Sequence, residues 1–132
     1  MNEQTLRATA AALMADDKGL LAMDESNPTC DKRFAALGIP LTEAARCAWR
    51  ELIVTTPALA DSISGAILFD ETIHQRLQDG RPFAHALADV GIIVGIKVDA
   101  MCGNQPWAEQ AKAVQPLPAF GLHAPAIVRR RA

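Results

Sequence analysis

Three short apolar runs of one design constrain this chain most: Gly19 to Asp24 (GLLAMD), Ile63 to Asp70 (ISGAILFD) and Ile92 to Asp99 (IIVGIKVD), each stopping on a carboxylate. An apolar run of this length, bounded by turn formers, reads as a buried strand. Segments of helical spacing separate the runs, and a strand, a helix and a strand in succession make a right-handed βαβ unit with its strands parallel. Parallel strands bring their carboxyl ends to one rim, so charge at every strand end argues for chemistry at that rim. The expected class is α/β, with parallel strands near residues 19–24, 63–69 and 92–99.

The connecting segments carry their own start and stop signals. Thr5 to Met14 is alanine-rich, with Leu6, Ala10, Leu13 and Met14 on one helical face. A second helix is expected from Asn27 or Pro28 to Leu37, stopped by Gly38 and barred from continuing by Pro40. Thr42 stands where an N-cap belongs, ahead of a third helix with an apolar stripe of Ala45, Ala48, Trp49, Leu52 and Ile53 that ends at Thr56-Pro57. A short helix over Glu71 to Leu77, a turn at Asp79 to Pro82, and a helix with Phe83, Ala86, Leu87 and Val90 at helical spacing up to Gly91 complete the set. Residues 1–99 therefore read as one α/β unit. Residues 100–132, rich in alanine, proline, glycine and glutamine, read as a divergent and poorly ordered tail.

Composition excludes several classes. Half of the 132 residues are hydrophobic and 21% are charged, which fits a globular core but is short for a complete closed α/β barrel. A net charge of -2 gives no pull toward nucleic acid or an anionic membrane. The closing Arg129-Arg130-Arg131 reads either as a binder of phosphate or RNA or, the default for so few charges at a chain end, as a solvated terminus. Cys30, Cys47 and Cys102 are odd in number and lack zinc-site spacing, so neither a disulfide framework nor a structural metal is expected. With no leader segment and no apolar run near the ~20 residues of a membrane span, the expectation is a soluble cytoplasmic protein.

Alternation along the strands decides which side chains meet. Gly95, Lys97 and Asp99 fall on one face of the third strand, Ile96 and Val98 on the other, and Ala22 and Asp24 share a face of the first. A polar face cannot pack on covering helices, so it looks into a lumen or cleft. Asp24 and Lys97 become near neighbours if their strands flank one another. Such a pair is either a structural ion pair or a catalytic one. In a catalytic role the ammonium stabilises a developing alkoxide or binds phosphate, and the carboxylate moves protons. Lys97 as a Schiff-base nucleophile is a further reading, opposed by the carboxylate, which favours the protonated amine. Ser26, Thr29 and Arg33 read either as a phosphate site at a helix start or as plain capping residues.

Leu21 to Cys30 (LAMDESNPTC), with Lys32-Arg33 following, resembles the first-strand signature of class I fructose-bisphosphate aldolases, particularly the plastid and bacterial form. Leu52 to Pro57 (LIVTTP), Ile63 to Thr72 (ISGAILFDET) and Gly95 to Asp99 (GIKVD) resemble that family's next blocks, in order, so the likeness covers about residues 6–99. The resemblance implies the first three βα units of a (β/α)₈ TIM barrel. It implies reversible cleavage of fructose 1,6-bisphosphate to dihydroxyacetone phosphate and glyceraldehyde 3-phosphate in glycolysis, through a lysine Schiff base, with no cofactor and no metal. By position Asp24 is similar to the family's first-strand aspartate, which assists proton transfer and carbon–carbon cleavage, and Lys97 to its third-strand lysine. Ser26, Thr29 and Arg33 fall where the family binds a substrate phosphate. The family's Schiff-base lysine lies beyond the likeness, so the expectation is a truncated chain that is inactive alone. Open sheet edges make a non-catalytic module, associating with itself or with aldolase subunits, the alternative.

Overall fold

The computed structural model describes residues 3–97 together with 128 and 129. Three parallel strands, β1 (Gly19–Met23), β2 (Ile63–Leu68) and β3 (Ile93–Lys97), form an open sheet in the order β1-β2-β3. A two-residue strand, β4 (Val128–Arg129), pairs in parallel with Ile96 and Lys97 on the far side of β3. The strands run parallel as expected, one to three residues shorter than their apolar runs within the described residues. Asp99 and the remaining tail residues lie outside the described set.

Six α-helices accompany the sheet among the described residues: α1 (Glu3–Leu13), α2 (Asn27–Ala36), α3 (Glu43–Val54), α4 (Leu59–Ser62), α5 (Asp70–His74) and α6 (Phe83–Asp89). Their boundaries follow the local chemistry. Pro28 sits in the first turn of α2, where its missing N–H has no partner to lose. After α2, Gly38 adopts φ 67°, the left-handed conformation that glycine takes at little cost. Thr42 caps α3 by accepting a hydrogen bond on its side chain from the Ala45 amide at 3.2 Å.

The register fixes two faces. Met23 pairs with Leu68 and Leu68 with Ile96, and these side chains, with Ala66 and Val94, lie under α5, α6 and the loop between them in one apolar core with Ile73, Leu77, Phe83 and Leu87. The opposite face carries Leu20, Ala22, Gly65, Ile67, Ile93 and Gly95. Toward the amino ends of the strands this face is closed by α1. A methyl group on Gly65 would stand 2.5 Å from Leu13 Cδ2 and 3.0 Å from Leu20 Cδ2, so only glycine leaves room for that contact. Ser64 fastens the same corner, its hydroxyl donating to the Leu13 carbonyl oxygen at 2.6 Å. Toward the carboxyl ends no helix among the described residues covers this face.

Two helices differ from their periodicity. Of the apolar positions of α1 only Leu13 is buried, while Leu6 and Met14 are exposed. On α3 the expected stripe holds only in part: Ile53 packs on the core, but Leu52 is 71% exposed, and the buried positions are Arg46 and Arg50, flanked by Cys47 and Val54. Trp49 finds its contact sideways, edge-on to Phe34 of α2 with ring centres 5.9 Å apart. Among the described residues no helix is long and apolar enough to cross a membrane.

Candidate active site

Asp24 follows directly on the last residue of β1, and Lys97 is the last residue of β3; both are half-buried. The register sets them in one row across the carboxyl rim, one position beyond the row Met23, Leu68 and Ile96. Alternation gives both to the open face, as the sequence implies. Their strands do not flank one another. β2 lies between, with Phe69 at its end, so two strand spacings of roughly 4.8 Å separate the two backbones. Adjacent strands are thus replaced by a gap one strand wide.

Beyond Asp24 the chain turns through Glu25 and Ser26 into α2. Ser26 Oγ and Thr29 Oγ1 stand 3.0 Å apart, two hydroxyls at the start of a helix whose first amides lack intrahelical partners. The Ser26 side chain does not cap the helix. Arg33, one turn after Thr29, donates from Nη1 to Glu25 Oε1 at 2.6 Å. The three expected phosphate-site residues therefore gather around one helix start, with the guanidinium held by the neighbouring acid.

Behind this loop lies a cluster that the motifs did not single out. Glu71, the second residue of α5, accepts on Oε1 from Arg46 Nε at 2.9 Å and from Arg50 Nη1 at 3.3 Å. On Oε2 it accepts from Arg46 Nη2 at 2.7 Å and from Asn27 Nδ2 at 2.9 Å. The third arm of Arg46 reaches Asp31 Oδ1 at 2.9 Å. Arg50 is fully buried, donates from Nη2 to the Glu25 carbonyl oxygen at 2.8 Å, and lies with its guanidinium carbon 5.7 Å from the centre of the Phe69 ring. The hydrogen bonds from Arg46 hold the Glu71 carboxyl below its usual value, against the opposing effect of burial. Glu71 in turn raises the Arg46 guanidinium, which stays charged.

Two signals for this cluster stand in the sequence. Asp70-Glu71-Thr72 repeats the acid, acid, hydroxyl order of Asp24-Glu25-Ser26 after the preceding strand, and Arg46 and Arg50 are one helical turn apart. Neither can be read alone as burial, because arginine at such spacing is more often a solvated face.

Comparison with known proteins bears on this arrangement. The family model for class I fructose-bisphosphate aldolase matches residues 5–121. The chain belongs to that family. A probable class 1 fructose-bisphosphate aldolase of Xanthomonas campestris is 56% identical over 108 residues, covering 82% of this chain and 32% of the relative. The chloroplastic fructose-bisphosphate aldolase 2 of Pisum sativum is 48% identical over 107 residues, covering 76% and 31%. Among solved structures, fructose-bisphosphate aldolase of Plasmodium falciparum, determined in complex with TRAP and a small-molecule inhibitor, aligns with TM-score 0.70 and 36% identity over 83% of this chain and 34% of that one. The chain spans about a third of the length of the curated relatives it matches. The match to the aldolase model also runs further along the chain than the motif likeness, which stops near Asp99.

Proposed function

We propose that this chain carries the opening portion of a class I aldolase barrel and of its active site, acting on fructose 1,6-bisphosphate in cytoplasmic glycolysis. The observation that carries the reading is the row across the carboxyl rim: a carboxylate and an ammonium on one open face, with a pair of hydroxyls and a guanidinium at the adjoining helix start. A gap of one strand between Asp24 and Lys97 suits a bound sugar phosphate better than a direct ion pair. In this reading Asp24 moves protons during carbon–carbon cleavage, and Lys97 stabilises the oxygen on which negative charge develops. Ser26, Thr29 and Arg33 hold one substrate phosphate, the hydroxyls and free helix amides donating to its oxygens and the guanidinium neutralising it.

The Schiff-base lysine of the family has no counterpart in the matched stretch, so the 132 residues are read as a truncated portion that does not turn over by itself. Two measurements test this. The purified chain incubated with dihydroxyacetone phosphate and borohydride is expected to keep its mass, and a reduced adduct would refute the reading. A chimera in which residues 5–97 replace the matching stretch of a complete class I aldolase is expected to cleave fructose 1,6-bisphosphate. Asp24→Asn or Lys97→Met in that chimera is expected to lower kcat about 100-fold or more. Full activity of both variants would end the assignment.

One observation favours a second reading. Leu20 of β1 is 52% exposed, and β1 ends the sheet with no strand beyond it among the described residues, an edge that invites association with a second copy or with aldolase subunits. Light scattering decides it. A monomer that stays monomeric on mixing with a complete aldolase would remove this alternative.

A further inference from the structure

The buried ionic cluster has no substrate-facing part, yet its connections run to one place. Replacing a buried ion pair by apolar residues of similar volume is often neutral or stabilising, because each ion loses several kcal/mol of hydration. Stability alone therefore gives little reason to keep Arg46 and Arg50 on the inward face of α3 while Leu52 faces water. The bonding is also not arranged for greatest stability. Arg50 Nε and Glu25 Oε2, a donor and an acceptor, are both buried without a hydrogen-bond partner among the described residues. What the cluster does complete is a tether. Through Asn27 and Arg50 it holds the residue after Ser26 and the carbonyl before it.

We propose that Glu71, acting through Arg50 and Asn27, is a positioning residue that sets where the loop after β1 holds Asp24 and Ser26. Glu71 follows β2 by three residues, so a single carboxylate ties the carboxyl end of one strand to that of its neighbour. All four of its acceptor positions are filled, which fixes its orientation, and a guanidinium is needed opposite. The planar fork donates from two separate nitrogens, Nη1 to the Glu71 carboxylate and Nη2 to the Glu25 carbonyl oxygen, and an ammonium at position 50 keeps the charge but loses that spacing. Stacking on Phe69, at the end of β2, holds the fork from the third side. Arg46 anchors Glu71 from behind and leans on Asp31 at its outer end. The inference rests on the functional reading above only for what the loop is for; the tether itself is a matter of geometry.

The test uses amide hydrogen exchange on the 132-residue chain. The Cys30 amide donates to the Ser26 carbonyl oxygen at 3.0 Å and reports on the loop, whereas the Ile92 amide donates to the Leu87 carbonyl oxygen at 3.0 Å between two buried core residues, in the turn from α6 into β3, and reports on the fold. Arg50→Lys is expected to raise exchange at Cys30 about tenfold or more and to leave Ile92 within about twofold. Asp31→Asn, which removes only the charge of the outer partner of Arg46, is expected to leave both near wild type. Equal acceleration at both amides in Arg50→Lys, no acceleration at either, or the same loosening of Cys30 by Asp31→Asn would each overturn the proposal. Should Arg50→Lys not fold, Asn27→Ala cuts the other arm of the tether and is read by the same pair of amides. Inorganic phosphate, followed at the Ser26 and Thr29 amides of the unaltered chain, separates the two claims. Silence there counts against the phosphate site and leaves the exchange result to decide the tether.

Discussion

On the helix-covered face of the sheet, Met23, Ala66, Leu68, Val94 and Ile96 are at most 2% exposed, whereas on the opposite face Leu20 is 52% exposed and Ala22 is exposed as well. The same strands supply both faces, residue by residue in alternation, so the contrast is one of partners rather than of strand chemistry. The covered face is filled by large aliphatic side chains interlocking with α5 and α6. The open face alternates small residues at Ala22, Gly65 and Gly95 with Leu20, Ile67 and Ile93, is sealed by Leu13 at the amino ends, and carries charge at the carboxyl rim. Where no helix among the described residues covers it, a substrate or further strands can be seated.

Equal truncations on the two faces should therefore have unequal effects. Leu68→Ala opens a cavity in a site with no exposure and is expected to cost about 2–5 kcal/mol, enough to unfold a marginal chain. Leu20→Ala removes a side chain already half in water and is expected to cost less than about 1 kcal/mol. Urea midpoints for the two variants measure the difference. Equal losses would mean that the open face is covered in solution, and light scattering on Leu20→Ala would show by what.

Gly65→Ala tests the place where α1 closes the open face. The added methyl would meet Leu13 Cδ2 at 2.5 Å and the Ile93 carbonyl oxygen at 3.3 Å; the leucine tip can swing away, but the strand cannot. A loss of about 1–3 kcal/mol is expected by thermal or urea unfolding. The double variant Leu13→Ala/Gly65→Ala should recover part of it, since the deleted isobutyl group makes the room that the methyl needs. No recovery would place the strain in the strand pairing and not under α1.

How far these features are legible in the sequence follows the same division. The strands, their parallel order, the cap at Thr42 and the stop at Gly38 rest on short-range rules of periodicity, φ preference and hydrogen bonding, and each is present in the structure. The shared face of Asp24 and Lys97 follows from alternation, which is local too, whereas their row is set by the strand pairing. Their separation by β2 is not local: nothing along the chain says which strand lies between, only the pairing does. The inward face of α3 is the clearest failure of pattern reading. Ala45, Ala48, Trp49, Leu52 and Ile53 make a persuasive stripe, but Arg46 and Arg50 are drawn inward by Glu71, Asp31 and the Glu25 carbonyl, groups up to 25 residues distant in sequence. Burial there is decided by charge partners that hydropathy does not see.

The smallest expected effect, the acid response of that cluster, takes the comparison from the two faces to the rim that joins them. Glu71 has its carboxyl lowered from the ordinary 4.5, first by the hydrogen bond from Arg46, so its contribution to stability is full above the unfolded-state value and drains away as pH falls through the lower, folded-state value. Protonation removes an acceptor from two buried guanidinium groups, so the chain should lose stability below about pH 4.5 more steeply than its exposed acids require. Glu71→Gln has nothing to protonate at that position. Its stability at neutral pH will be lower, but its slope between about pH 5 and 3 should be shallower than that of the unaltered chain, and the slope is the informative quantity. Parallel slopes in urea unfolding across that range would mean that Glu71 is not the group whose charge holds the two strand ends together.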